Sequence, residues 1–361
     1  MEWHKIFRKI QVDPSSHCNA RCGACARNIT GGEKVDFLPL DHFPMDIWER
    51  MVVSDLKNAS IEKLTLNGNW GDAGMNPNIQ DMVKLWTKHH QRASVMIATN
   101  GGMNNESWWA KFAPILRQAS NHRIQFAVDG LEDTHSLYRR RTDFKKVISN
   151  IKSFADAGGN AQIIWTIFDH NVHQIEQGAK LAEELGCVDI RVRRSFSEHM
   201  HIQDKDENYK ITTEKVKDLK GFYKQFHPRS DMPQNDTGVP PLEETFDYST
   251  GCPWYNQGEI QIDPWGTVWP CCHTSIHRYA DRDQWKLKDN KNPMLPVLNY
   301  RNDTYGADRF SLNKHTLDEI LSGTFFNVDV KEAVEKGKWW ACQTACDRKA
   351  VKWNGIQRLM V

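Results

Sequence analysis

The sequence predicts an α/β protein: a mostly parallel sheet built from six strand–helix units, followed by a small α+β segment made of a β-hairpin and short helices. Three observations predict it. Short runs rich in Ile and Val alternate with amphipathic stretches through the first two thirds of the chain. Glycines at 158, 159 and 186 fall just past two of those stretches, where helix-terminating glycines belong. Beyond about residue 250 the alternation gives way to a Pro264-Trp265-Gly266 turn between two apolar runs, the mark of a hairpin. Consecutive βα units imply parallel strands with right-handed crossovers. Six are fewer than the eight of a closed barrel, so a partial barrel and an open doubly wound sheet both satisfy the pattern.

The expected strands are 9–12, 63–66, 94–98, 124–128, 162–167 and 189–192. The helices expected between them are 45–56, 79–89, 106–119, 144–157 and 172–185, with apolar residues at three- and four-residue spacing, as in Ile148, Ile151 and Phe154. Polar or Gly-rich clusters follow the strands, and both architectures gather such strand ends on one face as the active site. Residues 201–250 read as a linker or substrate-covering segment, rich in proline, with one helix near 213–226. The hairpin is expected at 258–263 and 267–269, with short helices near 317–321 and 330–336.

Composition narrows the function classes. The chain has 361 residues, with 47 basic and 46 acidic side chains and a formal charge of +1, which leaves no electrostatic footprint for nucleic acid. No apolar run approaches a membrane span, and the first residues lack the apolar stretch of a signal peptide. A cytoplasmic protein is expected. Nine cysteines then point to metal ligands, redox chemistry or burial, not to a disulfide framework.

The densest chemical signal is Cys18, Cys22 and Cys25, spaced CxxxCxxC directly after the first strand. Three thiolates on one loop suit a soft metal or an iron–sulfur cluster better than a packed core. Structural zinc with His17 as fourth ligand is the alternative, although adjacent residues such as His17 and Cys18 rarely bend onto one ion. In spacing, position and topology this loop resembles the signature of the radical SAM superfamily, CxxxCxΦC after the first strand of a partial (βα)6 barrel. Ala24 departs from it, because the residue before the third cysteine is commonly aromatic there.

The resemblance extends to the other strand ends. Gly71 and Asp72, in Gly68-Asn69-Trp70-Gly71-Asp72-Ala73, are similar to the turn that receives the amino group of S-adenosylmethionine, with a shorter carboxylate and no proline. Thr99-Asn100-Gly101 is similar to the family's Thr-Asn-Gly, and Val128-Asp129-Gly130 to its Ser-Ile-Asp-Gly. Asn100, Asp129 and Arg194 are thereby candidates for binding the cofactor. Arg139-Arg140-Arg141 and the Arg191, Arg193, Arg194 group each read either as a solvated face or as a carboxylate contact. Strand alternation puts Arg191 and Arg193 on one face and Arg194 on the other.

A second cysteine set lies downstream. Cys252, Cys271, Cys342 and Cys346 can close one four-thiolate site. This resembles the SPASM/twitch extension of radical SAM enzymes, in a shorter form because the full seven-cysteine pattern is absent; a zinc ribbon is the alternative. Cys272 is left over, as a substitute ligand, a buried thiol or a hydrogen-atom or proton donor. Cys187 reads as a core residue. The expected division is a partial barrel over 1–200, a connector over 201–250 and an auxiliary-cluster domain over 251–361.

The resemblance implies a [4Fe–4S] cluster on Cys18, Cys22 and Cys25 whose open iron binds S-adenosylmethionine, and one auxiliary iron–sulfur cluster, also of the [4Fe–4S] type. It implies reductive cleavage of S-adenosylmethionine to a 5′-deoxyadenosyl radical and removal of a hydrogen atom from a peptide or a small metabolite, for oxidation or modification. It also implies an external electron donor such as a flavodoxin or ferredoxin. The competing reading is a non-enzymatic iron–sulfur or zinc protein that keeps the fold.

Overall fold

The structure is a computed structural model describing residues 7–195, 199–216, 222–225, 252–279 and 295–336. Among these residues nine strands form one sheet, in the order β11-β10-β1-β2-β3-β4-β5-β6-β9. In chain order they are β1 (Lys9–Val12), β2 (Lys63–Leu66), β3 (Ser94–Thr99), β4 (His122–Ala127), β5 (Ala161–Ile167), β6 (Asp189–Arg194), β9 (Phe222–Gln225), β10 (Glu259–Ile262) and β11 (Val268–Trp269). β1 to β6 pair in parallel in sequence order, as successive right-handed crossovers require. The fold is the partial barrel rather than the open doubly wound sheet, whose strand order would reverse at a switch point.

The helices that cross between strands are α1 (Met45–Arg50), α2 (Ile79–His89), α3 (Glu106–Leu116), α5 (Phe144–Asp156) and α6 (Ile175–Glu184), with a single turn α4 (His135–Tyr138) after β4. Caps set their starts: Asn105 accepts from the Trp108 amide and Asp143 from that of Lys146. Their apolar stripes bury against one face of the sheet. Ile10, Leu64, Val95, Ile97, Ile124, Phe126, Ile163, Trp165, Ile190 and Val192 form that face and are all buried in the main core.

The opposite face is polar. The register aligns Gln261, Gln11 and Thr65 across β10, β1 and β2, and Gln125, Gln162 and Asp189 across β4, β5 and β6. Gln125 donates to Gln162 at 2.7 Å, and Arg123 reaches Asp189 at 3.4 Å. Strand alternation therefore separates an oily exterior under the helices from a hydrogen-bonding interior.

Three features depart from the sequence reading. The region expected as a connector contains a β-hairpin, β7 (His199–Asp204) and β8 (Glu207–Thr212), so the boundary drawn at residue 200 falls inside a strand. The helix expected near 213–226 is not formed at its end, where Phe222–Gln225 is β9 pairing antiparallel with β6. The hairpin β10–β11 does not stand apart: β10 pairs in parallel with β1 and extends the barrel sheet. It is followed by α8 (Cys272–Ile276), α9 (Leu295–Tyr305), α10 (Leu317–Leu321) and α11 (Val330–Lys336), with α7 (Pro253–Asn256) just before β10. Among the described residues, no helix is long and apolar enough to cross a membrane.

Candidate active site at the strand ends

The cysteine loop leaves β1 and is pinned where it begins by a backbone contact that only glycine permits. A Cβ on Gly71 would stand 2.2 Å from the Ser15 carbonyl oxygen and 2.7 Å from that of His17. The Asp72 amide donates to the His17 oxygen at 2.8 Å, so the turn after β2 lies directly against the loop after β1. Arg27, buried, stitches the loop to itself and to that turn. Its Nη2 donates to the Ser16 carbonyl at 2.8 Å, its Nη1 to that of Cys18 at 3.3 Å and its Nε to that of Trp70 at 3.1 Å.

Asp72 brackets the ends of β2 and β3. Its Oδ1 accepts from the Gly74 amide at 2.9 Å and the Thr99 hydroxyl at 2.8 Å, and its Oδ2 from the Asn100 amide at 2.7 Å. Burial raises its pKa against those hydrogen bonds. Asn100 faces the loop, with Nδ2 2.9 Å from Asn19 Oδ1 and 3.6 Å from Cys18 Sγ. Asp129, at the end of β4, is wholly buried; it accepts from the Thr166 amide and pairs with Arg139 Nε at 2.5 Å. Arg139 Nη1 lies 3.5 Å from Cys22 Sγ. The first four strand ends thus meet around the sulfurs of Cys18 and Cys22.

β6 contributes through Arg193, the partner in register of Thr166. It is solvent-accessible, yet the protein around it pulls its pKa below the ordinary arginine value, desolvation outweighing the attraction of Asp129. Arg194 stands on the other face, in line with Ile190 and Val192. Of the residues inferred from sequence, Gly71, Asp72, Asn100 and Asp129 are brought together with the cysteine loop, and Arg194 is not. Arg139 was visible only as one of a run of three arginines; its signal is its position ten residues after Asp129, just past the short helix α4, which turns it back to the strand end.

The other two arginines of the run separate. Arg140, buried, reaches over the cysteine loop to the Gly31 carbonyl and pairs with Asp204 at 2.9 Å and with Glu207. Those carboxylates flank the β7–β8 turn, so Arg140 clamps the hairpin onto the loop. Met200, Ile202, Ile211 and Phe168 form a small core there, with Ala24 and Tyr138 packed against it. The position that lacks an aromatic ring is filled by the hairpin.

The thiols are held in a setting that disfavours bare thiolates. Burial pushes Cys22 up to about 11 against the pull of Arg139, and Cys18 and Cys25 are raised for the same reason. Among the described residues, no three His, Cys, Asp or Glu side chains converge on a single metal ion. His17 stacks on His42 with ring centroids 4.5 Å apart, as a packing partner of that imidazole. The donor set fits an iron–sulfur cluster: three thiols on one loop, with N–H groups of Asn100 and Arg139 at two of the sulfurs.

In the C-terminal part, Cys252 and Cys271 line one small apolar cavity together with Phe7, Tyr255 and Val330. Cys271 is the N-cap of α8, its thiol 3.6 Å from the Thr274 hydroxyl, while Cys272 begins the helix and is half-buried. Cys342 and Cys346 lie outside the described residues. Cys187 is buried in the main core.

Known proteins resemble this chain in family signature and in fold. Residues 12–182 match the family model of the Radical SAM superfamily. Over 148 residues the chain is 22% identical to the sporulation killing factor maturation protein SkfB of Bacillus subtilis (strain 168), which is 41% of this chain and 34% of SkfB. The matched part thus spans about a third of that curated relative. SuiB of Streptococcus suis, solved bound to precursor peptide SuiA, superposes with a TM-score of 0.51 at 15% identity, over 82% of this chain and 68% of that one. Native anSMEcpe with bound AdoMet and Cp18Cys peptide gives a TM-score of 0.49 at 14% identity, over 97% and 87%. At these identities the likeness is one of fold.

Proposed function

We propose that this chain, whose residues 12–182 match the radical SAM superfamily model, is a radical SAM enzyme that modifies a peptide or a small metabolite. The observation that supports this most is the meeting of four strand ends on the CxxxCxxC loop, with Asn100 at Cys18 and Arg139 at Cys22. Cys18, Cys22 and Cys25 hold a [4Fe–4S] cluster. When bound, that cluster together with S-adenosylmethionine supplies a hydrogen-abstracting radical.

The chain's own residues bind and orient. Gly71 seats the turn after β2 on the Ser15 and His17 carbonyls and so sets Asp72 beside the cysteine loop, and Asp72 keeps an acceptor site on Oδ2 for an ammonium group beyond the Asn100 amide it already holds. Asn100 completes the cofactor's shelf, Asp129 fixes Arg139, and Arg193 offers a guanidinium for a carboxylate. The hairpin clamped by Arg140 keeps water from the loop. Cys252, Cys271, Cys342 and Cys346 hold an auxiliary cluster over residues 251–361, Cys272 stands beside it as a donor, and a flavodoxin- or ferredoxin-type protein supplies electrons. A peptide is the substrate class to assay first, since SkfB is by name a maturation protein and SuiB was solved with a precursor peptide.

Replacing Cys18, Cys22 and Cys25 together by Ala tests the ligand assignment. After anaerobic reconstitution the variant carries about four irons fewer per chain than the parent. Equal iron in the two proteins contradicts it.

A further inference from the structure

We propose that Arg139 is a positioning residue that sets the reduction potential of the first cluster, by delivering a fixed N–H to the sulfur of Cys22. This rests on the assignment of a four-iron cluster to Cys18, Cys22 and Cys25.

The guanidinium is held from several sides. Asp129 is wholly buried and cannot move, because its Oδ1 accepts from the Thr166 amide of β5 and its carbonyl oxygen accepts from Asn171 Nδ2 at 2.9 Å. Arg139 Nε pairs with Asp129 Oδ2 at 2.5 Å, and the guanidinium carbon lies 5.2 Å from the centre of the Tyr138 ring. The backbone is tied as well. The Arg139 amide donates to the His135 carbonyl at 2.9 Å, and its own carbonyl accepts from the Thr142 hydroxyl at 2.5 Å. The Arg21 amide, next to Cys22, donates to the Arg140 carbonyl at 2.9 Å. Sulfur and guanidinium are therefore joined through the main chain on both sides, and the 3.5 Å approach of Nη1 to Cys22 Sγ is built in.

Only arginine serves both partners. Its rigid fork presents one N–H to the carboxylate and another to the sulfur, and it keeps its charge at every accessible pH. A donor on a ligating sulfur, and a cation beside it, favour the reduced cluster, which carries one more electron, over the oxidised one. Asp129 aims the guanidinium and tempers its charge.

The test uses the full chain, reconstituted anaerobically. The midpoint potential is read on the EPR signal that S-adenosylmethionine perturbs, for the parent, Arg139→Met, the double variant Asp129→Asn/Arg139→Met and Arg141→Asn. The double variant leaves no unpaired buried carboxylate, so it carries the comparison if the single variant fails to fold. Arg141 pairs with Asp204 at 3.5 Å at the surface and has φ +61°, which Asn accepts, so its replacement removes one charge of the same arginine run without touching Cys22. We expect the Arg139 variants to load iron and to shift the one-electron reduction equilibrium about tenfold toward the oxidised form, a potential about 59 mV more negative. Arg141→Asn stays at the parent's value. Unchanged midpoints in loaded Arg139 variants, or an equal shift in Arg141→Asn, overturn the inference and leave the cluster assignment standing. A parent that takes up no four-iron cluster overturns both.

Discussion

At the scale of single residues, the site is built by close approach. Gly71 allows the turn after β2 to touch the loop after β1, and Gly68 allows that turn to close on itself, since a Cβ there would lie 2.1 Å from the Gly71 oxygen. Both obstacles are backbone atoms and cannot swing aside. Gly71→Ala should cost about 2–3 kcal/mol in urea unfolding and loosen the cysteine loop; a variant as stable as the parent contradicts this packing. Sequence reading singled out Gly71, Asp72, Asn100 and Asp129 through their resemblance to radical SAM strand-end turns, and the structure gathers them at the cysteine loop. It did not separate Arg139 from Arg140, and of the β6 arginines it chose Arg194, although Arg193 is the one on the face of Asp129. Neighbours in a charge run look alike until a helix turn or a strand pleat assigns each a side. Here the pleat sets Arg193 toward Asp129, and α4 turns Arg139 back onto Cys22.

At the scale of elements, the β7–β8 hairpin is the feature least visible beforehand. Its alternation was present, with Met200 and Ile202 on one strand and Tyr209 and Ile211 on the other, but polar residues and a charged turn hid it within a stretch that looked like a connector. The hairpin buries its few apolar groups on the cysteine loop, and Arg140 supplies the clamp by joining Gly31 to Asp204 and Glu207. Arg140→Ala should release it, leaving Asp204 without its buried partner. Limited trypsin digestion then cuts faster at Lys205, in the turn, than in the parent. Equal cutting rates would mean that the small apolar core alone holds the hairpin. The strand β9 reads in sequence as the end of a helix for a simpler reason: Phe222-Tyr223-Lys224-Gln225 has none of the Ile, Val or Leu that marks the other strands.

At the scale of the molecule, one sheet joins the two parts that the sequence separates. The parallel strands β1 to β6 were legible from their Ile- and Val-rich runs, and the helices between them from their periodicity. The pairing of β10 with β1 was not, because a hairpin after a long gap gives no sign of its neighbour. That pairing brings Asp263, at the end of β10, beside Asp13, at the end of β1, and places α8 with Cys271 near the turn that carries Trp70, whose indole N–H reaches the Ser275 carbonyl at 3.4 Å. The cysteine loop and the helix of the downstream cysteines thus share one scaffold. The proposed role of this scaffold is radical chemistry from S-adenosylmethionine at Cys18, Cys22 and Cys25. The most direct measurement is 5′-deoxyadenosine formed by the reconstituted, reduced protein with S-adenosylmethionine under anaerobic conditions. We expect 5′-deoxyadenosine from the parent and none from the protein in which those three cysteines are Ala; a fully iron-loaded parent that forms none, with or without candidate peptides, contradicts the proposed function.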